Sequence, residues 1–90
     1  MKLRWSRQAR TDRQDIRAFI ARDNPMAALA LDRQLADRAS QLVFNPHQGR
    51  KGRLPGTREL VAHHNYVLVY AVTDDAVQIL RVLHVARRWP

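Results

Sequence analysis

Tyr66-Val67-Leu68-Val69-Tyr70-Ala71-Val72, then Thr73-Asp74-Asp75, then Ala76-Val77-Gln78-Ile79-Leu80-Arg81-Val82-Leu83-His84-Val85: two runs rich in β-branched and aromatic residues flank a short acidic break. Such runs read as strands and the break as a hairpin turn. Apolar residues stand at both parities of each run, so both sheet faces are expected to be mostly covered and both strands central. Arg58-Glu59-Leu60-Val61-Ala62 reads as a shorter strand ahead of them. Lys2 to Ser6, alternating around Leu3 and Trp5, reads as an edge strand.

Upstream the apolar period lengthens to three or four. From Arg7 to Arg22 there is no Gly or Pro, and Ala9, Ile16, Phe19 and Ile20 share one stripe with Asp12 and Arg13 filling its gap. That is an amphipathic helix, with Ser6 as its N-cap. Asp23-Asn24-Pro25 ends it. Asn24 caps a second helix and Pro25 occupies its first position. This helix is expected to run to about Val43 on the stripe Ala28, Leu31, Leu35, Ala39, Leu42, stopping at Asn45-Pro46. So short a break makes the two an antiparallel hairpin. His47 to Gly56 holds all three glycines and one of the four prolines and reads as a loop. The order is β-α-α-β-β-β: an α+β fold, an antiparallel sheet with a helical hairpin packed on one face.

Ninety residues make one domain, 1–90. A chain this short has little interior left for a deep cofactor pocket, so a surface that acts on something large is expected, with no cofactor. Cysteine is absent, which excludes disulfides and thiolate metal sites. No apolar run reaches the ~18–20 residues of a membrane span, and the N-terminus has no apolar leader. A cytoplasmic protein without a membrane partner is expected. The net charge of +8 points to an anionic partner: nucleic acid, a ribonucleoprotein or an acidic protein. The excess is uneven. Residues 1–22 carry seven cations against two Asp, residues 46–60 four cations against Glu59, and residues 76–90 carry Arg81, Arg87 and Arg88 alone.

The chemistry-bearing residues are few. The four histidines are too scattered for a metal site, and His63-His64, if on a strand, send their rings to opposite faces. His84 lies near the end of the last strand with Arg81, Arg87 and Arg88 around it. It reads either as a half-buried strand histidine with a satisfied ring or as the proton carrier of an RNA-cleaving site. Such a site needs cations for the charge on the phosphorane and normally a second acid or base. Trp89 reads as a cover for an open sheet edge or as an anchor for a partner.

Taken in order, Leu3-Arg4-Trp5-Ser6 before two helices, Asn45-Pro46 before a Gly-rich loop, Gly56-Thr57-Arg58-Glu59-Leu60-Val61, Tyr66 to Val72 and Ile79-Leu80-Arg81-Val82-Leu83-His84 resemble the RelE/ParE superfamily of toxins from bacterial type II toxin–antitoxin pairs. The resemblance spans nearly the whole chain. It implies growth arrest, plasmid stabilisation, and a cognate antitoxin whose acidic segment wraps the toxin; Arg10, Arg13, Arg17, Arg53 and Arg58 are the residues expected to meet it. It leaves two targets, DNA gyrase for ParE-like members and mRNA in the ribosome for RelE-like ones. In the RNA-cleaving members a basic residue usually follows the aromatic that opens the middle strand, where this chain has Val67. The same-face position after Arg58 is Leu60, and no Tyr closes the C-terminus. The resemblance therefore leans to a ParE-like gyrase inhibitor that is no enzyme, with Arg81, His84, Arg87, Arg88 and Trp89 meeting the target. In the alternative, a ribosome-dependent endoribonuclease, Arg58, Arg81, His84 and Arg87 carry catalysis.

Overall fold

A computed structural model describes residues 1–86. Strand β1 (Lys2–Trp5) leads into helices α1 (Arg7–Ala21) and α2 (Pro25–Gln41). Strands β2 (Arg50–Lys51), β3 (Arg58–His63), β4 (Tyr66–Val72) and β5 (Ala76–His84) follow. They form one five-stranded sheet in the order β1-β5-β4-β3-β2.

The helix starts are set by side chains that satisfy orphan N–H groups. Ser6 Oγ accepts from Ala9 N–H at 3.0 Å, and Asn24 Oδ1 accepts from Ala27 N–H at 3.0 Å with Pro25 next in line. The stripe of α2 is the one expected: Ala28, Leu31, Leu35, Ala39 and Leu42 are all buried, although the helix itself stops at Gln41 and Leu42 is its C-cap. Leu31, Leu35, Ala39 and Leu42 pack with Leu60, Leu68, Tyr70, Val77, Ile79 and Val82 of the sheet. Each fully buried Leu or Ile contributes about 1.5–3 kcal/mol relative to exposure.

Four expectations are corrected. The sheet is not wholly antiparallel, because β1 runs parallel to β5, with Leu3 opposite Val77 and Trp5 opposite Ile79. The loop from His47 to Gly56 contains a strand: Arg50 pairs with Glu59 and Lys51 with Arg58, on the outer edge of β3. Phe19 does not join the α1 stripe and is 65% exposed, because Ala9, Ile16 and Ile20 already fill the contact with the sheet and α2. The helices cover one sheet face, as expected, but the other face is less fully covered than the apolar runs suggested. Val61, Val67, Val69, Leu83 and Val85 line a groove on the other, where Val61 remains 50% and Val85 44% exposed.

Candidate functional site

The ion pairs sort the arginines before any function is assigned. Asp12 of α1 lies against β5, where its carboxylate accepts from Arg81 Nε at 2.8 Å, Arg81 Nη2 at 3.1 Å and the Val82 backbone N–H at 2.9 Å. β5 bulges here, since its register with β4 shifts between the Val69 and Tyr70 pairs. β1 covers this edge of β5 only as far as Ile79, so the Val82 N–H beyond it lacks a strand partner, and Asp12 satisfies it. The Asp12 hydrogen bond, working against desolvation, pushes the Arg81 guanidinium further up. Arg81 is thereby held against α1, with its side chain still 26% exposed. Asp12, which in sequence only fills a gap in the α1 stripe, is the functional-looking residue that periodicity passed over. A carboxylate inside an apolar stripe is the signal that marks it.

Arg13 and Arg17 are committed as well. Arg13 grips Asp32 of α2 with both ends of its fork at 3.0 Å and lies 4.4 Å over the Trp5 ring; Arg17 reaches the same carboxylate at 3.2 Å. Burial by itself would push the Asp32 carboxyl up, but the hydrogen bonds and charges of Arg13 and Arg17 outweigh it and hold it below its ordinary value. These two arginines clamp the helical hairpin. Arg10 is exposed on α1 and makes no ion pair among the described residues.

Arg58 performs a similar service for the Gly-rich loop. Its Nη1 donates to Gly49 O at 2.8 Å and to His47 O at 3.4 Å. From the core, the Tyr70 hydroxyl donates to Pro46 O at 2.8 Å and accepts from Gly49 N–H at 2.9 Å. Burial pushes the Tyr70 hydroxyl up, opposed by the Gly49 N–H and the Arg58 charge. A Cβ on Gly49 would stand 2.7 Å from the Tyr70 hydroxyl oxygen, so the close approach requires glycine.

On the sheet face away from the helices, Glu59 is buried and accepts from Arg53 N–H at 3.0 Å and Arg50 Nη2 at 3.4 Å. Arg50 and Arg53 thereby border a groove of about 100 Å³ lined by the valines of β3 and β4 and by Leu83, His84 and Val85. A larger groove of about 610 Å³ opens on the helix side, between α1 and the end of β5, lined by Asp12, Asp15, Ile16, Phe19, Tyr66, Val82, His84 and Ala86. His84 borders both grooves. Its Nδ1 accepts from Ala86 N–H at 3.1 Å, and its ring meets Tyr66 edge-on at 5.2 Å.

His63 and His64 do not diverge as strand neighbours would. β3 shifts register between Val61 and His63, and the two rings lie 4.0 Å apart. Burial and the neighbouring His64 push His63 below its ordinary value. Among the described residues no three His, Asp or Glu side chains come together in a way that would hold a metal ion. Nor is any helix there long and apolar enough to cross a membrane. Arg87, Arg88 and Trp89 lie outside the described residues.

Comparison with known proteins gives this arrangement its context. Residues 3–89 match the family model described as the ParE toxin of the type II toxin–antitoxin system parDE. The chain belongs to the ParE toxin family. A putative toxin of Sinorhizobium fredii is 36% identical over 90 residues, covering 99% of this chain and 93% of the relative. Toxin RelE2 of Caulobacter vibrioides is 36% identical over 83 residues, covering 92% of this chain and 93% of that toxin. A solved chain of the chromosomal ParDE toxin–antitoxin system of P. aeruginosa superposes with a TM-score of 0.83 at 28% identity, over 94% of this chain and 96% of that one. As a ParE-family member the chain is a type II toxin of the RelE/ParE superfamily, and its fold is that family's: two helices on an open, mostly antiparallel five-stranded sheet. Within it, Arg13, Arg17, Arg58 and Arg81 serve the fold, while Arg10, Arg50 and the side chain of Arg53 face outward.

Proposed function

We propose that this ParE-family toxin acts without chemistry of its own, by binding DNA gyrase and trapping its cleaved-DNA state in the cytoplasm, and that a cognate antitoxin neutralises it. The carrying observation is what the basic residues are doing. An RNA-cleaving site needs free cations for the charge that builds on the phosphorane. Arg81 is bound bidentate by Asp12, and Arg58 is bonded to two loop carbonyls. Leu60, at the same-face position after Arg58, is buried in the core, and Val67 stands where a basic residue would follow the aromatic. Among the described residues, the His84 ring meets the Tyr66 ring edge-on at 5.2 Å and its Nδ1 is taken up by the Ala86 N–H. A family model and a solved ParDE relative point the same way.

The test sets two assays side by side. The purified chain is expected to inhibit supercoiling by gyrase at micromolar concentration and to leave ribosome-bound transcripts intact. Intact supercoiling together with cut transcripts would sink the gyrase reading. It would favour the endoribonuclease, the reading that the Caulobacter relative's name and His84 at the strand end support. In that case Arg81→Ala should abolish cleavage.

A further inference from the structure

β2 meets β3 through two residue pairs of opposite character. Arg50 stands opposite Glu59, a cation against an anion. Lys51 stands opposite Arg58, a cation against a cation. Like charges directly opposite on neighbouring strands weaken the pairing, and nothing in the packing asks for a cation at Lys51, which is exposed.

Arg58 pairs with Tyr70 of β4, and Tyr70 belongs to the core under the helices. By the alternation of a strand, Arg58 and Lys51 leave the sheet on the helix side and Glu59 leaves it on the other. Glu59 is taken up there by Arg50 and the Arg53 N–H. Among the described residues no acid forms an ion pair with Lys51 or Arg58. The two carbonyls that hold Arg58 bond to Nη1 alone and carry no formal charge. Its Nε and Nη2 have no hydrogen-bond partner among the described residues.

Both cations line a hollow of about 360 Å³ at the outer edge of the sheet. That is inside the ~300–1,000 Å³ of small-ligand sites. His47 joins them on the lining, which holds no Asp or Glu. Leu54, Pro55 and Val72 supply an apolar wall. The turn that carries Leu54 and Pro55 is closed by its own bonds, from Gly52 N–H to Thr57 O at 2.8 Å and from Thr57 Oγ1 to Leu54 O at 2.7 Å. The wall therefore stands ready before anything binds. The hollow shares no lining residue with either groove described above.

We propose that this hollow binds a nucleotide. Its phosphate bridges Lys51 and Arg58, and its sugar and base lie along Leu54, Pro55 and Val72. The Nε and Nη2 side of the Arg58 fork takes two phosphate oxygens together, while Lys51 adds a point charge. The anion relieves the repulsion between the two cations, so binding and the β2–β3 pairing support each other. The site holds equally for a gyrase or a ribosome target. A free nucleotide and one unit of a DNA strand present the same phosphate, and the experiment separates them.

The full chain is titrated with ADP, with pyrophosphate and with a single-stranded DNA hexamer, at about 0.15 M salt, where exposed charges more than ~8 Å apart are largely screened. Amide shifts of Lys51, Gly52 and Arg58 report the site. Lys51→Glu turns the repelling pair into an attracting one. Lys2→Glu, the same change of charge on β1 at the far edge of the sheet, is the control. The better of ADP and the hexamer is expected to shift these three amides and to bind about threefold or more tighter than pyrophosphate. Lys51→Glu is expected to weaken that binding by about tenfold or more, and Lys2→Glu by less than about twofold. Lys51→Glu is also expected to raise the thermal midpoint, which shows that its loss of binding is not unfolding. A hexamer that binds better than ADP makes the ligand a DNA strand, and the reverse makes it a free nucleotide. Absence of shifts at the three amides with both ligands overturns the proposal. Equal weakening by Lys2→Glu overturns it too, since net charge alone would then attract the ligand. Pyrophosphate binding as tightly as the better nucleotide ligand also overturns it, because the apolar wall would have no part in recognition.

Discussion

Asp12 shows how one carboxylate can settle the fate of a distant arginine. It joins α1 to β5 across 69 positions of sequence, taking two bonds from Arg81 and one from the Val82 backbone. Replacing it by Ala leaves a half-buried guanidinium and a backbone N–H without partners. Asp12→Ala is expected to lower unfolding stability by about 2–4 kcal/mol, and Asp12→Ala with Arg81→Met to recover part of that loss, both read from urea midpoints. Tyr70 holds the loop in a comparable way from inside the core. Tyr70→Phe removes both of its loop bonds; a loss of about 1–3 kcal/mol and faster amide exchange at Gly49 are expected. Neither role could be read from the sequence. Tyr70 looks like any core aromatic in an apolar run, and the pairing of Asp12 with Arg81 joins residues 69 positions apart, which no local pattern announces.

At the scale of elements, the sequence speaks clearly wherever a single turn of chain carries its own explanation. Ser6, Asn24 and Pro25 marked both helix starts because capping chemistry is local. Tyr66 to Val72 came out with its observed limits because a buried run between turn residues is hard to read otherwise. β2 escaped notice because two residues have no period, and Arg50–Lys51 is a strand only by virtue of β3 beside it. Ser6 also ties α1 to the sheet, since its hydroxyl donates to Leu80 O while accepting from Ala9 N–H. Ser6→Ala is therefore expected to cost about 1–2 kcal/mol in thermal or chemical unfolding, toward the upper part of the range for a cap. The turn between β3 and β4 should respond to acid. His63 titrates below its ordinary value of 6.5 in the fold, and its Nδ1 accepts from Asn65 N–H at 3.2 Å. The unfolded chain binds the proton first, so this contribution is whole above pH 6.5 and is lost as pH falls from there through the lower folded value. His63→Gln should flatten that part of the stability–pH curve measured by denaturant titration.

For the whole molecule, the net charge of +8 is divided between arginines paired inside the fold and cations that face outward. Arg13 and Arg17 share Asp32 and Arg81 is paired with Asp12, while among the described residues exposed cations lie on β1, α1 and α2 and around the sheet edge formed by β2. The sequence placed the excess in the right segments but not on the right atoms, because pairing between segments is a property of the packed molecule. The supercoiling and ribosome assays belong to this scale, since they ask what the assembled surface grips. The parallel pairing of β1 with β5 carries a last consequence. Leu3 meets Val77, nearly the full length of the chain apart, so the first strand to be synthesised has no place to dock until the last one exists. Contacts of such long range close late and slowly. While the chain is still being made, its helical hairpin can form, but the sheet that positions both grooves cannot be finished. Both grooves thus take their final shape only once β5 has been made and has met β1 and α1.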